Sequence, residues 1–241
     1  MTDPARSRLA NARAAVVEEA LPQVAEHGWT EAVLDGAIAR AGIDAPLAVR
    51  AFPDGARSLV EAFHEHCDRR MVEALTAQNL EALRTGQRIF AAVRARIEAM
   101  QPLRAQLRRA LAFQSMPQNA ASGARSLGRT VDLIWRETGD RSHDFSFYTK
   151  RATLAAVYSA TVLYWLQDTS EGCAETWEFL RRRLQNVVQF GKARQAAQAT
   201  ATGLASGVAA GVVTTIRRAG SLTRWLGSRG IPPAWPRSSD R

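Results

Sequence analysis

Between Asp144 and Asp168 lie 23 residues that carry only two charges, the adjacent pair Lys150 and Arg151. A segment apolar on every face must be buried in a core, inserted in a membrane, or turned toward an apolar ligand. The two cations fall in its first turns, and Tyr148, Thr149, Thr153, Tyr158, Ser159, Thr161 and Tyr164 add hydroxyls, so it does not read as a transmembrane span. The stretch is therefore expected to be the central helix of an all-α domain. Asp144 stands as its N-cap, and the Asp168-Thr-Ser-Glu-Gly turn ends it. A second helix should run from Ala174 to Phe190 and stop at Gly191. With 9 prolines in 241 residues and no alternating β-branched runs, the rest of the chain is expected to be helical too.

From the N-terminus, residues 7–27 show a helical apolar face made of Leu9, Val16, Val17, Leu21 and Val24, closed by Gly28, with Pro22 positioned to kink or split it. A second helix begins at Trp29-Thr30-Glu31 and runs to Arg40. Ala41-Gly42-Ile43-Asp44 makes a turn, with Asp44 capping a short third helix to Arg50. After Phe52-Pro53-Asp54-Gly55, Asp54 is the expected cap of a long fourth helix bearing Leu59, Val60, Phe63, Met71 and Leu75. This outline resembles a TetR-type helix-turn-helix domain. A DNA reader needs basic and polar side chains on the third helix, and Asp44-Ala-Pro-Leu-Ala-Val-Arg50 supplies one arginine and one acid. A scaffold that no longer reads DNA is the favoured reading. Further helices follow over Leu80–Met100, with Arg84, Arg88, Arg94 and Arg96 elsewhere around it than its apolar positions, over Leu103–Met116, and through Leu127, Val131, Ile134 and Trp135 to Gly139.

Residues 1–178 hold 21 basic and 22 acidic groups, net −1; residues 179–241 hold 11 basic groups and one acid, net +10. The whole basic excess thus lies at the C-terminal end, which should seek an anionic surface, phospholipid or nucleic acid. Within 196–228, Leu204, Val208, Val212, Ile216, Leu222 and Leu226 fall on one side of a helical wheel, inside an arc of about 120°. Arg217 and Arg224 fall opposite, with Arg218 at the boundary, which is the composition of an interfacial helix. Gly203, Gly207 and Gly211 each cost it about 1 kcal/mol of propensity relative to alanine, so it should form on contact with a surface. The tail around Ile231-Pro-Pro-Ala-Trp-Pro236 is expected to be extended. No secretory leader is apparent, and the two cysteines, Cys67 and Cys173, are expected to be reduced thiols.

Signals for chemistry are few. Glu61-x-x-His64 has the spacing of a carboxylate–imidazole ligand pair, with Cys67 one turn on, but no second pair accompanies it, so ordinary polar groups on a surface helix are the expected reading. No nucleophile triad, phosphate loop or CxxC is present. Nothing calls for a cofactor or a metal, and the chain is not expected to be an enzyme.

The run Asp144-Phe145-x-Phe147-Tyr148-Thr149-Lys150-Arg151, then Leu154-Ala155-x-x-Tyr158, Asp168-x-Ser170 and Thr176-Trp177-x-Phe179-Leu180, resembles the Coq-nine family. The spacing runs ungapped through about 35 residues, and weaker similarity covers most of residues 8 to 228. The family often has Trp where this chain has Phe147 and Arg where it has Lys150, both mild exchanges. The resemblance implies a TetR-like fold in a lipid-binding accessory protein of coenzyme Q (ubiquinone) biosynthesis. Such a protein presents isoprenoid quinone intermediates to the membrane-bound di-iron demethoxyubiquinone hydroxylase. It implies a partner-binding patch at Ile134, Trp135, Phe147 and Tyr148, where the family has an apolar residue near the position of Glu137. Lys150 and Arg151 are expected to belong to the same partner-binding patch; the alternative is that one snorkels and the other pairs with an acid such as Asp144. Core packing is an even alternative for Trp135 and Tyr148.

The expected organisation is a helix-turn-helix-like part over 1–60, a helical lipid-binding domain over 61–191, and an amphipathic membrane-binding helix and tail over 192–241. The expected cavity side chains are Ile89, Phe90, Val93, Leu111, Phe113, Val131, Leu154, Tyr158 and Trp165. Expected partners are an isoprenoid quinone or phospholipid ligand, an anionic membrane surface, the di-iron hydroxylase and, by resemblance only, a second copy of the chain. No DNA is expected. The location implied is cytoplasmic and peripheral on a bacterial inner membrane, or the matrix side in a mitochondrion. The competing reading is a TetR-type transcription repressor with an apolar effector.

Overall fold

The computed structural model describes residues 4–140 and 145–186. All regular structure among them is helical. Helices α1 (Pro4–His27), α2 (Glu31–Arg40) and α3 (Ala45–Ala51) form the N-terminal part. They are followed by α4 (Ala56–Thr76), α5 (Thr85–Ala99), α6 (Arg104–Ser115), α7 (Ala120–Glu137) and α8 (Phe145–Trp165). The last helix, α9, occupies residues 174–186.

Local chemistry explains most of the boundaries. Gly28 stands just past α1 with φ +71° and returns its N–H to the Val24 carbonyl, the left-handed stop that a side chain would strain. Thr30 and Asp44 cap α2 and α3 by accepting the N–H of Val33 (3.3 Å) and of Leu47 (2.8 Å). Pro22 neither ends nor splits α1, which continues to His27. Val16, Val17, Ala20, Leu21 and Val24 are buried along that face, and their packing outweighs one lost backbone hydrogen bond. The expected start of α5 at Leu80 is instead a 3₁₀ turn, Leu80–Ala82, with the helix proper beginning at Thr85.

The cap of α4 departs from expectation. Asp54 does not provide it. The Ala56 N–H donates to the Glu31 carboxylate (2.8 Å), which reaches across from the first turn of α2, and the Asp54 N–H is taken by Ser58 Oγ (3.0 Å). Gly55, at φ +56°, makes room for this. A Cβ there would stand 2.4 Å from both Glu31 carboxylate oxygens.

The central helix is α4, not α8. It packs on α1, α2, α5 and α7 and buries Leu59, Val60, Phe63, Cys67, Met71 and Leu75. It also runs through residue 60, where a division between two parts was expected. By contrast α8 packs chiefly on α7 and buries one face, Leu154, Val157, Tyr158, Thr161, Val162 and Trp165. Its other face carries Tyr148, 71% exposed, and Leu163, 57% exposed. The expectation that α8 is the central helix is thus wrong, and its physical source is plain: hydropathy does not distinguish a core face from an exposed face that is itself apolar.

A second correction concerns Arg96, expected away from the apolar positions of α5. Its side chain is wholly buried. Arg96 Nε donates to Asp68 Oδ1 (2.6 Å), Nη2 donates to the His64 carbonyl (3.3 Å), and Thr130 Oγ1 donates to the same Asp68 oxygen (2.9 Å). This cluster ties α4, α5 and α7 together. After α8, Asp168 accepts from Ser170 N and Oγ and from Thr176 N and Oγ1, which anchors the start of α9. Burial pushes the Asp168 carboxyl up, but these four donors outweigh it and hold it at about 2. Arg104 and Arg108 donate to the Asp168 and Leu166 carbonyls, placing cations at the C-terminal end of α8.

Candidate functional site

A recess of about 330 Å³ opens between α4, α6, α7 and α8. Its walls are Leu107 and Leu111 from α6, Ala120, Gly123, Ala124 and Leu127 from α7, and Tyr158, Val162 and Leu163 from α8. Small residues at the start of α7 line it, and Gly123 lets α6 approach closely. At Gly123 even a methyl group would come within 3.1 Å of the Gln114 Cβ. The polar part of the lining includes His64 from α4 and Gln114 from α6, whose side chains meet at 3.2 Å. Burial, then the neighbouring Arg96, lowers the His64 pKa to about 4, so the imidazole is neutral at physiological pH. Tyr158 is pushed up to about 12 by burial and is a neutral phenol.

Of the nine expected cavity residues, Leu111 and Tyr158 line this recess. Ile89, Val93, Val131, Leu154 and Trp165 are buried in the core and contribute packing rather than lining. Phe90 is half-buried under the Arg181 guanidinium, and Phe113 lines a separate recess with Trp29 and Asn119. His64, Gln114, Leu127 and Leu163 were not anticipated as lining. The signal that could have found them is the run Ala120-Ala-Ser-Gly-Ala124, too small to fill an interhelical space.

The Glu61–His64 pair holds no metal arrangement. Glu61 accepts from Ser122 Oγ (2.6 Å) while His64 faces Gln114, and among the described residues no cluster of His, Cys, Asp and Glu could hold a metal ion. The expectation of a surface helix here fails, since α4 is the core helix. Cys67 and Cys173 are both buried and unbridged.

The expected partner patch divides in two. Ile134 is 0% exposed and Trp135 9%, so both are core in this conformation, and Ile134 offers no contact surface. Phe147 is half-buried and Tyr148 projects outward, their rings meeting edge-on at 5.2 Å. The Arg151 guanidinium lies 3.4 Å from the centre of the Phe147 ring, and Lys150 Nζ 5.6 Å from that of Trp135. Both cations are ion-paired. Lys150 binds Asp140 (2.8 Å), and Arg151 binds Asp132 (2.8 Å) and Asp140 (3.3 Å). The end of α7 and the turn after it supply these acids. Asp144, the partner expected from sequence proximity, lies outside the described residues, as do all the expected membrane-binding residues Leu204, Val208, Val212, Ile216, Arg217, Arg218, Leu222, Arg224 and Leu226. Among the described residues no helix is long and apolar enough to cross a membrane.

Comparison with known proteins places this arrangement. A TetR transcriptional regulator from Nitrosomonas europaea superposes with a TM-score of 0.57 at 20% identity, covering 73% of this chain and 98% of that one, so the fold is TetR-like. Residues 120–191, which include α7, α8 and α9, match the profile of the COQ9 family. The mitochondrial ubiquinone biosynthesis protein COQ9 of Drosophila melanogaster is 35% identical over 193 residues, 78% of this chain and 58% of that protein. The human protein of the same description is 32% identical over 207 residues, 83% of this chain and 64% of that protein. The chain therefore spans about six-tenths of the length of these two relatives. Nothing in these comparisons supports a bacterial inner-membrane location, and the relatives are described as mitochondrial. Xenopus laevis COQ9-B is 31% identical over 208 residues, and the match covers 83% of this chain and 70% of that protein. Similarity of that extent shows that the chain belongs to the COQ9 family.

Proposed function

We propose that this protein serves ubiquinone biosynthesis as a lipid carrier without catalytic activity of its own, holding isoprenoid quinone intermediates and presenting them to the demethoxyubiquinone hydroxylase. The observation that carries the reading is the mostly apolar recess between α4, α6, α7 and α8. Its size lies near the lower end of the ~300–1,000 Å³ typical of ligand pockets, enough for a ring and the first isoprene units rather than a whole polyprenyl tail. Each methylene moved from water into such a recess is worth about 0.8 kcal/mol. The test is mass spectrometry of lipids extracted from the purified protein. Isoprenoid quinone precursors are expected to co-purify, and Ala124→Trp, which places an indole in the recess, to deplete them severalfold. Equal recovery from both proteins would place the lipid elsewhere.

Delivery also requires access to the bilayer. We assign that role to residues 196–228, whose apolar stripe and Arg217, Arg218 and Arg224 fit an anionic surface at about 1 kcal/mol per cation. Full-length protein is expected to float with cardiolipin-rich vesicles and a chain ending at Gly191 to stay in the pellet fraction. Equal flotation of the two would remove this segment from the mechanism.

The repressor reading gains little from the fold. The exposed positions of α3 include Ala45, Pro46 and Val49, the last 71% exposed, and Arg50 is the only cation on that helix. Such a surface is poorly equipped for phosphate or base contacts.

A further inference from the structure

We infer that the folded body itself meets the bilayer, through arginines at the shared end of α5 and α9 that bind the phosphates of anionic lipid and fix the orientation in which the body is held. This rests on the membrane access proposed above, but it concerns residues other than 196–228.

The first observation is the placement of the charges. Arg94 on α5 lies over the Trp177 ring of α9 (5.1 Å), and Arg181 on α9 lies over the Phe90 ring of α5 (5.5 Å). The later residue of α5 meets the earlier residue of α9, so the two helices run antiparallel and the start of α5 adjoins the end of α9. Arg84 and Arg88 sit at that start, and Arg181, Arg182 and Arg183, all exposed, at that end. Three consecutive residues fan over about 200° of a helix. The α9 arginines therefore make a collar around the helix end rather than a stripe along its side, and a collar suits a plane that crosses that end.

The second observation is that carboxylates do not balance this cluster. The nearby acids on the same segments are Glu81 and Glu178, and Glu178 is shared between Arg181 (2.6 Å) and Arg182 (4.0 Å). Arg183 rests on the Phe179 ring (4.8 Å) with no carboxylate partner among the described residues. Arg88 donates to the backbone carbonyls of Leu83 and Glu81, and Arg84 is exposed. Cations in the last turn of α9 complement its dipole, but at the start of α5 the dipole opposes them, so helix stability does not account for the group. Guanidinium groups match phosphate with paired N–H donors, and those held over rings are already ordered. Nucleic acid offers the same phosphates. The chain favours lipid, because it runs on from α9 into the apolar stripe of residues 196–228. Alone, a few exposed charges bind weakly; tethered to that segment, they act at high effective concentration.

The test is flotation of the intact chain with vesicles of cardiolipin and phosphatidylcholine, read as a partition coefficient. Combining Arg181→Gln, Arg182→Gln and Arg183→Gln is expected to lower it about tenfold or more. Two controls separate this from other causes. Lysine at the same three positions loses the stacking and keeps the charge. Arg6→Gln, Arg8→Gln and Arg70→Gln together remove as much charge from exposed positions on α1 and α4. Both controls are expected to stay within about threefold of the unsubstituted chain. A loss in either control equal to that of the glutamine variant, or no loss in the glutamine variant, overturns the inference while leaving residues 196–228 as the anchor. Loss of duplex-DNA binding in the glutamine variant, with vesicle binding intact, makes the cluster a nucleic-acid surface and overturns it as well. If the unsubstituted chain does not float, the membrane access proposed above fails and this inference with it.

Discussion

Arg96→Leu is expected to destabilise the fold by about 3–5 kcal/mol, the cost of leaving a buried charge without its counter-ion. Asp68 would keep only the Thr130 hydroxyl as a side-chain donor once the guanidinium is gone. The same substitution frees the His64 carbonyl at the α4 wall of the recess. Removing both charges is expected to be much milder, because a buried pair replaced by apolar groups of similar volume is often neutral in stability. A double-mutant cycle on Arg96→Leu and Asp68→Leu, read from urea midpoints at constant slope, checks this. A single-mutant loss below 1 kcal/mol would show that water reaches Asp68 and that the pair is not the buried tie between α4, α5 and α7.

Arg96 also marks where reading the sequence fails. At the helical period Arg96 falls among Ile89, Val93 and Met100, whereas Arg84, Arg88 and Arg94 fall off that face, so its inward position was legible in the spacing and was missed because a charge was read as belonging off the apolar face. What spacing could not supply is its counter-ion, Asp68, 28 residues earlier. Features closed within a few residues were legible. Gly28 ends α1, Thr30 and Asp44 cap α2 and α3, and Gly55 breaks the chain before α4, each through a local geometric requirement. Features that depend on a distant partner were not. The cap of α4 came from Glu31 rather than the adjacent Asp54, and Arg151 paired with Asp132 and Asp140 rather than Asp144.

The recess was legible only in part for the same reason. A large apolar side chain reads as a cavity candidate, yet Val93, Val131 and Trp165 fill space instead of bounding it. Small residues such as Gly123 and Ala124 bound the recess, and hydrophobicity gives them little weight. His64 drew notice as a metal ligand because of its spacing from Glu61. Its neutrality and its contact with Gln114, 50 residues away, depend on α6 lying across α4.

Tyr148→Ala is expected to reduce association with the demethoxyubiquinone hydroxylase by about thirtyfold or more while leaving the fold intact. The magnitude is that of an interface anchor, about 2 kcal/mol, since a protruding tyrosine that fills a partner's pocket is a typical hot spot. Tyr148 is 71% exposed and rests edge-on against Phe147, which is itself clamped beneath Arg151. Arg151 is held by two carboxylates, Asp132 and Asp140. The aromatic tip is thus supported from below and free above, so binding would immobilise little that is not already ordered. Truncating an exposed side chain of this kind should change stability by no more than about 0.5 kcal/mol. Trp135→Ala serves as the contrast. That ring is core, and its removal should cost about 3–5 kcal/mol and weaken association only through loss of folded protein. Pull-down of the hydroxylase by each variant, read beside its melting curve, separates the two. If Tyr148→Ala retains full association, the outward face of α8 serves another purpose and the presentation surface lies elsewhere.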